Sequence, residues 1–296
     1  MPDESSRFSL PGFSVGHWTH DSGRTGCSVV IPDEPALAVV DVRGGAPGTR
    51  ETSLLEEGRM VQHVNAILLT GGSAFGLSAA DGVMRWLREQ GRGVPTVAIP
   101  VPIVSAAVLF DLKGDHPVWP NADAGYACAA NATPDGWMSG RMGAGAGATV
   151  AKILNRDGRP SGIGAAKIDT VAGTIAALIA VNAVGEVSSA EGDGLSPLEN
   201  AILTGLETQS QAGENTTIGV VAVDGALRRD DLVRLAIAAH DGLARAIHPA
   251  HTLFDGDTIF VLCRQEGSLK PRDSLVLNVA TQHAVMRAVF SAAANA

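Results

Sequence analysis

Cysteine is scarce in this chain, and its spacing excludes a disulfide framework or a zinc site. The 296 residues include 3 Cys, at Cys27, Cys128 and Cys263. They are odd in number, far apart and without a Cys-x-x-Cys spacing. We therefore expect reduced, mostly buried thiols in a cytoplasmic protein that holds no metal.

Charge and long apolar runs are also scarce. Charged residues make up 18% of the chain, the net charge is −9, and no basic cluster interrupts the acidity. This balance argues against nucleic acid or an anionic membrane surface as a partner. No apolar run is long enough to span a membrane without interruption, and Met1 to Phe8 lacks the basic and apolar regions of a signal peptide. The sequence predicts a soluble, cytoplasmic protein.

The composition is that of a compact globular enzyme. Hydrophobic residues make up 45% of the chain, and 35 residues are Gly. The length suits one large domain or two small ones and allows a substantial core. We find no internal repeat and no low-complexity tail.

Apolar patterning predicts alternating strands and helices. Strands are predicted at 27–31, 36–42, 66–70, 217–223 and 257–263, with either a strand or a buried helix at 174–182. The first two are expected to be neighbours joined by the turn at 32–35. Helices are predicted after the glycine turn at 71–72 as far as Glu89, over 148–154, and from Asp230 to about Ile247. This alternation is typical of α/β folds.

Three segments predict irregular structure. Residues 91–140 are Pro-rich, and we expect them to cover part of a site. The polar stretches 185–197 and 207–214 together make the best predicted exposed linker.

A glycine-rich turn at Gly143, Gly145 and Gly147 raises the possibility of a nucleotide site, because backbone N–H groups before a helix can bind phosphate. However, no clean strand precedes the turn, and its third glycine comes one residue too early for the dinucleotide motif. Close backbone packing or an oxyanion site explains the glycines equally well.

The most informative segment is the Asn215–Thr216 step before an apolar strand. If this peptide bond is cut, Thr216 gains a free α-amine beside its own hydroxyl. One residue then supplies both a nucleophile and its base, as in N-terminal-nucleophile hydrolases. The alternative from this segment alone is a polar loop end before a core strand.

Two carboxylates flank a glycine near the C-terminus, at Asp255 and Asp257. Such a pair can hold one proton between its members and orient an amine or a hydroxyl. The alternatives are a solvated Asp-Gly-Asp turn or a weak metal site. The nearby His240, His248 and His251 do not have a recognised metal-ligand spacing.

Together these motifs resemble the self-processing aminopeptidase family, which includes L-aminopeptidase/D-amidase-esterases, β-aminopeptidases and nylon-oligomer hydrolases. The resemblance covers nearly the whole chain, and its motifs occur in the same order. The matching segments are 12–17, 42–52, 69–77, 121–126, 143–152, 215–224 and 251–260.

The resemblance implies a role for individual residues. Thr216 would be the nucleophile, released by cleavage after Asn215 into chains 1–215 and 216–296 of a single catalytic domain. The other implied site residues are Asp255 and Asp257, which orient and activate Thr216; Asn182, an oxyanion donor; Lys152, which sets the protonation of the nucleophile; and Tyr126, which lines the site. From the residues alone, Asn182 could instead be a buried structural amide, and Lys152 a surface lysine with Lys167 as its rival.

The resemblance further implies a four-layered α/β/β/α sandwich, no cofactor, and a homo-oligomer, a tetramer of processed protomers. The substrate would be a small amide or short peptide. Thr216 with the Asp255–Asp257 pair resembles the nylon-oligomer hydrolase branch more than the β-aminopeptidases, which typically have Ser and a Ser-Gly-Glu partner. The alternatives are an acyltransferase resembling ornithine acetyltransferases and an uncleaved small-ligand-binding module.

Overall fold

The computed structural model describes residues 7–153, 157–188, 195–206 and 214–296. Over these ranges, two β-sheets stack face to face and helices cover the outer face of each sheet. One apolar cluster lies between the sheets and one lies under each helical layer. The fold is the predicted four-layered α/β/β/α sandwich.

The first sheet has the strand order β1-β2-β6-β7-β4. Its strands are β1 (Phe13–Thr19), β2 (Gly26–Pro32), β4 (Thr49–Arg50), β6 (Ala66–Thr70) and β7 (Val104–Val108). Neighbours are antiparallel except for the parallel pair β6 and β7.

The second sheet has the order β10-β11-β13-β15-β3-β5. Its strands are β3 (Ala36–Val42), β5 (His63–Val64), β10 (Ile163–Thr170), β11 (Gly173–Asn182), β13 (Thr216–Leu227) and β15 (Thr258–Glu266). Only β13 and β15 run parallel to each other. Two short pairs complete the strands: β8 (Thr149–Val150) with β9 (Arg159–Pro160), and β12 (Glu186–Val187) with β14 (Ile247–His248).

Six α-helices lie in the described ranges, and four of them form the outer layers. The six are α1 (Ser73–Gly76), α2 (Ala79–Glu89), α3 (Ala122–Ala130), α4 (Pro197–Leu203), α5 (Arg229–Ala244) and α6 (Pro271–Ala294). Helices α2 and α3 pack on the first sheet, and α5 and α6 pack on the second. No helix in the described ranges is both long and apolar enough to cross a membrane.

Strand β13 is buried on both faces, which explains its unbroken apolar run. Ile218 and Val220 point into the core between the sheets, whereas Val221 and Val223 point toward α5 and α6. This double burial fixes the register of β13 against β11 and so places Thr216 opposite Asn182.

Several sequence predictions are confirmed. The strand at 66–70 and its following helix to Glu89 are present, and 174–182 forms a strand. Residues 217–223 and most of 257–263 also lie in strands. All three cysteines are buried and free.

The predicted pairing of 27–31 with 36–42 is wrong. Both segments are strands, but β2 belongs to the first sheet and β3 to the second. The turn between them carries the chain across the sandwich. Turn residues predict a reversal but do not show which sheet receives the next strand.

Other boundaries also differ from the predictions. The segment 91–140 contains β7 and α3, and a short strand at Thr149–Val150 replaces the helix predicted for 148–154, of which 154 lies outside the described residues. Helix α5 ends at Ala244, so Ile247 falls in β14. Of the predicted linker, 189–194 and 207–213 lie outside the described residues, and its remainder includes β12.

Candidate active site

Thr216 is the first residue of β13, and its side chain is buried. The partner strand β11 ends at Asn182, directly opposite Thr216. The Thr216 hydroxyl donates a hydrogen bond to the carbonyl of Asn215. The Thr216 Oγ1 therefore lies beside the carbonyl of the peptide bond that precedes it. Asn215 is also buried and forms a parallel bridge with Asp255.

The side-chain amide of Asn182 is held by hydrogen bonds at both ends. Its Oδ1 accepts the N–H of Thr149 at 3.0 Å and the Lys152 ammonium at 2.7 Å. Its Nδ2 donates to the carbonyls of Phe110 at 3.0 Å and Glu214 at 3.3 Å. Donors on one side and acceptors on the other define the orientation of the amide.

Lys152 is buried rather than lying on the surface. Its Nζ donates to the Asn182 Oδ1 at 2.7 Å, to the Asn182 carbonyl at 2.9 Å and to the Glu214 carbonyl at 3.2 Å. Its predicted rival Lys167 is exposed on β10, with its Nζ 3.9 Å from Asp169 Oδ2. The structure thus brings Lys152, and not Lys167, to Asn182.

Burial changes the charge that Lys152 carries near neutral pH. Desolvation, followed by the positive charge of Lys113, lowers the pKa of Lys152 to about 7. The negative charges of Asp255, Glu214 and Asp111 oppose this change without cancelling it. A neutral amine, which can accept a proton, is therefore available near pH 7.

Asp255 and Asp257 are both buried, so the solvated-turn interpretation is wrong. Asp255 Oδ1 accepts the N–H of Val184 at 3.1 Å, and its Oδ2 accepts the hydroxyl of Thr252 at 2.5 Å. Asp257 Oδ1 accepts the N–H of Thr217 at 2.7 Å. Desolvation, followed by the charge of Asp257, raises the pKa of Asp255 to about 6.

The glycine-rich loop after β3 packs directly against this acidic turn. A Cβ at Gly44 would lie 2.5 Å from the carbonyl oxygen of Asp255, and one at Gly256 would lie 2.4 Å from the carbonyl oxygen of Ala46. The Arg43 N–H also donates to the Asp257 carbonyl at 2.7 Å. Only glycine allows this close approach, which explains the glycines of the 42–52 segment.

A cavity of about 160 Å³ adjoins Lys152. Its lining combines apolar side chains with both signs of charge: Phe110, Leu112, Lys113, Thr149, Lys152, Asp157 and Glu214. Because Phe110, Thr149 and Glu214 also bond Asn182, this cavity lies directly beside the polar group around Thr216.

Two residues of this region carried no functional signal in the sequence. Asp111 is buried, accepts the N–H of Gly72 at 2.7 Å, and has its pKa raised to about 6, chiefly by burial. His251 contacts Asp257, with 2.8 Å between Nδ1 and Oδ2. His251 begins a segment that matches the self-processing family, but its contact with Asp257, like the burial of Asp111, depends on how loops pack in three dimensions.

Tyr126 lies apart from this group. It is on α3 in the outer helical layer, where its hydroxyl donates to Glu89 Oε2 at 2.6 Å. The Arg85 guanidinium stands over its ring, 4.5 Å from the centroid. The expectation that Tyr126 lines the site finds no support in this position.

The glycine turn at 143–147 does not present a phosphate site. Its Gly143 N–H donates to Thr19 Oγ1 at 2.8 Å, and its Ala144 N–H donates to Ser28 Oγ at 3.0 Å. The next two N–H groups bond carbonyls within the same turn. The turn is buried, and its glycines serve close packing, as with Gly145, where a Cβ would lie 2.1 Å from a backbone nitrogen. Within the described ranges, no three His, Cys, Asp or Glu side chains are grouped as a metal site requires.

Comparisons with known proteins agree with this architecture. The sequence profile of peptidase family S58 matches residues 9–296. An uncharacterized aminopeptidase of Mycobacterium leprae is 44% identical over 285 residues, which cover 86% of this chain and 76% of the relative. A 6-aminohexanoate-oligomer endohydrolase of Kocuria sp. is 31% identical over 279 residues, or 89% of this chain and 76% of the relative.

A solved structure shares the fold. The L-aminopeptidase D-Ala-esterase/amidase from Ochrobactrum anthropi, a variant of the Ntn-hydrolase fold, superposes with a TM-score of 0.75 at 18% identity. The match covers 99% of this chain and 86% of that one. With the family profile and the sequence relatives, it leads to one conclusion: the chain belongs to peptidase family S58 and is a hydrolase of the aminopeptidase and amidase type.

Proposed function

We propose that this protein is a self-processing amidohydrolase whose nucleophile is Thr216. Cleavage of the Asn215–Thr216 bond would give a large chain of residues 1–215 and a small chain of residues 216–296. The proposal rests chiefly on one observation, the hydrogen bond from the Thr216 hydroxyl to the carbonyl of Asn215 at the buried head of β13.

Self-cleavage needs a base and an activated carbonyl. The Thr216 Oγ1 attacks the Asn215 carbonyl carbon, and its proton passes to a base, for which the neutral amine of Lys152 is suited by its lowered pKa. The base then gives this proton to the departing Thr216 nitrogen, so breaking the C–N bond transfers the acyl group from nitrogen to oxygen and leaves an ester and a free amine. Water then hydrolyses this ester, which frees the Asn215 carboxylate and the Thr216 α-amine.

Cleavage would also open the site to substrate. Before cleavage, Lys152 and Asn182 both donate to the carbonyl of Glu214, next to the bond to be cut. If the new chain end moves away, both donors lose this acceptor and can face a substrate carbonyl instead. The precursor thus occupies its own site with residues 214–215.

The processed enzyme would use the same atoms for hydrolysis. The free α-amine of Thr216, with an ordinary pKa of about 7.7–8.0, acts as the base near neutral pH. Its hydroxyl attacks the substrate amide and forms an acyl-enzyme through an oxyanion, which the Nδ2 of Asn182 stabilises. Asp255 and Asp257 orient the α-amine and hydroxyl, and water completes the cycle.

The substrate class we propose is a small amide or a short peptide. The Kocuria relative is named for 6-aminohexanoate oligomers, and this name supports an unbranched amide substrate. The cavity beside Lys152 is small, about 160 Å³, which favours short groups. We further propose a cytoplasmic homotetramer of processed protomers, supported by the family resemblance and testable by analytical ultracentrifugation.

A denaturing gel of the purified protein tests the mechanism. Wild type should yield fragments 1–215 and 216–296, whereas Thr216→Ala should remain intact and hydrolyse no aminoacyl amide. Thr217→Val is the matched control, because it removes the neighbouring hydroxyl but keeps the N–H that Asp257 binds. An intact Thr216→Ala chain that still hydrolyses amides would refute the mechanism.

A further inference from the structure

His251 binds Asp257 through two donors. The imidazole Nδ1 lies 2.8 Å from Asp257 Oδ2, and the backbone N–H of His251 donates to the same oxygen at 3.2 Å. The other carboxylate oxygen accepts the N–H of Thr217. A continuous chain of hydrogen bonds therefore links the imidazole to the residue that follows Thr216.

The opposite side of the His251 imidazole is packed against His240 of α5. The two rings meet edge to face, with centroids 4.8 Å apart and planes at 70°. His240 Nε2 lies 3.0 Å from the carbonyl of Asp41, so Nε2 carries the proton and donates it. Burial lowers the pKa of His240 and keeps this second ring neutral.

The surroundings of His251 favour its charged form. Burial acts to lower its pKa, but the hydrogen bond and the charge of Asp257, together with a backbone hydrogen bond to His240, outweigh it, so the pKa of His251 is raised. Arg43 also faces this site and acts against the cation, although its own guanidinium pairs with Asp41 at 2.9 Å. The side chain of His251 is 20% exposed and that of Asp257 is 3% exposed, and His251 Nε2 is itself buried, so the pair is largely shielded from solvent.

The two carboxylates of the site therefore have unequal partners. Asp255 accepts hydrogen bonds from Val184 and Thr252, which are neutral donors. Asp257 has the imidazole of His251 as well as two backbone donors, the N–H groups of Thr217 and His251. A cation beside one member of a close acidic pair favours ionisation of that member and leaves the shared proton to the other.

We propose that His251 is a positioning residue that keeps Asp257 ionised and oriented, so that a proton taken up by the acidic pair binds to Asp255. Its catalytic consequence rests on the proposed function of Thr216. An ionised Asp257 accepts the N–H of Thr217, the residue after Thr216. It also stabilises positive charge on the Thr216 α-amine during attack. The pKa of Asp255, raised to about 6, is consistent with uptake of the proton there on acidification.

Proton NMR titration of labelled full-length protein tests the ion pair directly. In wild type, the His251 imidazole should titrate above the ordinary histidine range. In Asp257→Asn its pKa should fall by about one unit or more, because the opposite charge is lost. In Asp255→Asn it should stay raised. The same His251 titration in wild type and Asp257→Asn would overturn the proposal.

Kinetics of the processed enzyme test the catalytic consequence. His251→Ala should lower kcat/KM by about 10- to 100-fold, the range expected for a lost charge-assisted hydrogen bond. His251→Asn keeps a side-chain donor and suits the left-handed backbone at this position, where φ is 57°. It should retain most of kcat at the optimum but move the acidic limb of the pH profile to higher pH by about one pH unit.

A matched control separates positioning from general damage to this segment. His248→Asn alters another buried histidine of the same region, whose Nδ1 lies 3.6 Å from Glu199 Oε2, and should leave the acidic limb in place. Loss of stability in His251→Asn without movement of the limb would show a merely structural role and overturn the proposal. Hydrolysis by Thr216→Ala would refute the nucleophile instead, while the NMR result on the ion pair would still stand.

Discussion

Two buried polar clusters meet at Thr216, and burial shifts their pKa values in opposite directions. On one side, Lys152 is surrounded by neutral carbonyl and amide oxygens, and its pKa is lowered to about 7. On the other, Asp255 lies beside a second carboxylate, and its pKa is raised to about 6. Both shifts favour the neutral form, because each charge is costly to bury.

The difference between the clusters lies in how each is compensated. In the Lys152 cluster, a single amine lies within hydrogen-bond distance of three oxygens, two from Asn182 and one from Glu214. The acidic cluster contains two carboxyl groups, of which, in the described ranges, Asp257 has an imidazole partner and Asp255 has only neutral donors. We infer that the first cluster supplies a base and an oxyanion donor, whereas the second fixes the position of the nucleophile. Each prediction below perturbs one cluster and leaves the other intact.

The largest effect is expected from removal of the proposed base, Lys152. Lys152→Met keeps the length of the side chain but removes the amine, and it should slow self-cleavage by about 10²–10⁴-fold. The rate at which fragments 1–215 and 216–296 form on a denaturing gel measures this effect. Lys167→Met is the matched control on an exposed strand and should process at the normal rate. Equal processing of the two variants would remove Lys152 from the mechanism.

The next largest effect is expected from loss of the proposed oxyanion donor, Asn182. Asn182→Ala should lower kcat of the processed enzyme by about 10²–10³-fold, measured per cleaved chain with an aminoacyl amide. Asn65→Ala is a fitting control, because Asn65 is also buried and bonds a backbone N–H, that of Ile103, at 2.9 Å. It should cost stability but not kcat. A similar loss of kcat in both variants would indicate general damage rather than transition-state stabilisation.

Much of this framework could be predicted from local sequence patterns. The apolar run of β13 indicated a buried strand, and the polar residues before it indicated where that strand begins. The resemblance then named Thr216, Asn182, Lys152, Asp255 and Asp257, and the structure brings these five together. Their chemical roles stay predictions.

What local patterns could not supply depends on packing between distant segments. The turn at 32–35 did not reveal that β2 and β3 belong to different sheets. Tyr126 lies in a matching segment, yet its side chain contacts Glu89 and Arg85. Asp111 was missed because its burial depends on the contact of its loop with the glycine turn at Gly72.

The pH dependence of self-cleavage should follow Lys152. Below its pKa of about 7 the amine is protonated and cannot accept the Thr216 proton; above that value it is neutral. The processing rate should therefore rise about tenfold per pH unit below pH 7 and level off above it. Rates measured on freshly purified precursor between about pH 5.5 and 8.5 test this.

Lys113 provides a way to move this profile without touching the amine itself. Its positive charge contributes to the lowered pKa of Lys152, so Lys113→Ala should shift the midpoint to higher pH. Lys113→Arg keeps the charge and should leave the midpoint nearly unchanged. If the midpoint is also unchanged in Lys113→Ala, the titration belongs to another group, such as Asp255.

The smallest expected effect concerns stability, where the two clusters should have opposite signs. Asp255 has a folded-state pKa of about 6, above its ordinary 3.8, so the folded chain binds more protons and loses stability as pH rises between these values. Lys152 has a folded-state pKa of about 7, below its ordinary 10.5. The unfolded chain then binds more protons, and stability rises with pH through that window.

Urea unfolding in the intact Thr216→Ala background can separate these contributions. Adding Asp255→Asn should flatten the dependence between about pH 4 and 6, and adding Lys152→Met should flatten it between about pH 7 and 10. The difference in the free energy of unfolding should be at most about 3 kcal/mol for Asp255 and at most about 5 kcal/mol for Lys152. A hydrogen bond lost in a variant lowers the free energy of unfolding equally at every pH. The slope of that free energy against pH therefore reports only the titrating group. Slopes that match the parent in both windows would show that neither group has a perturbed pKa, and the contrast between the clusters would fail.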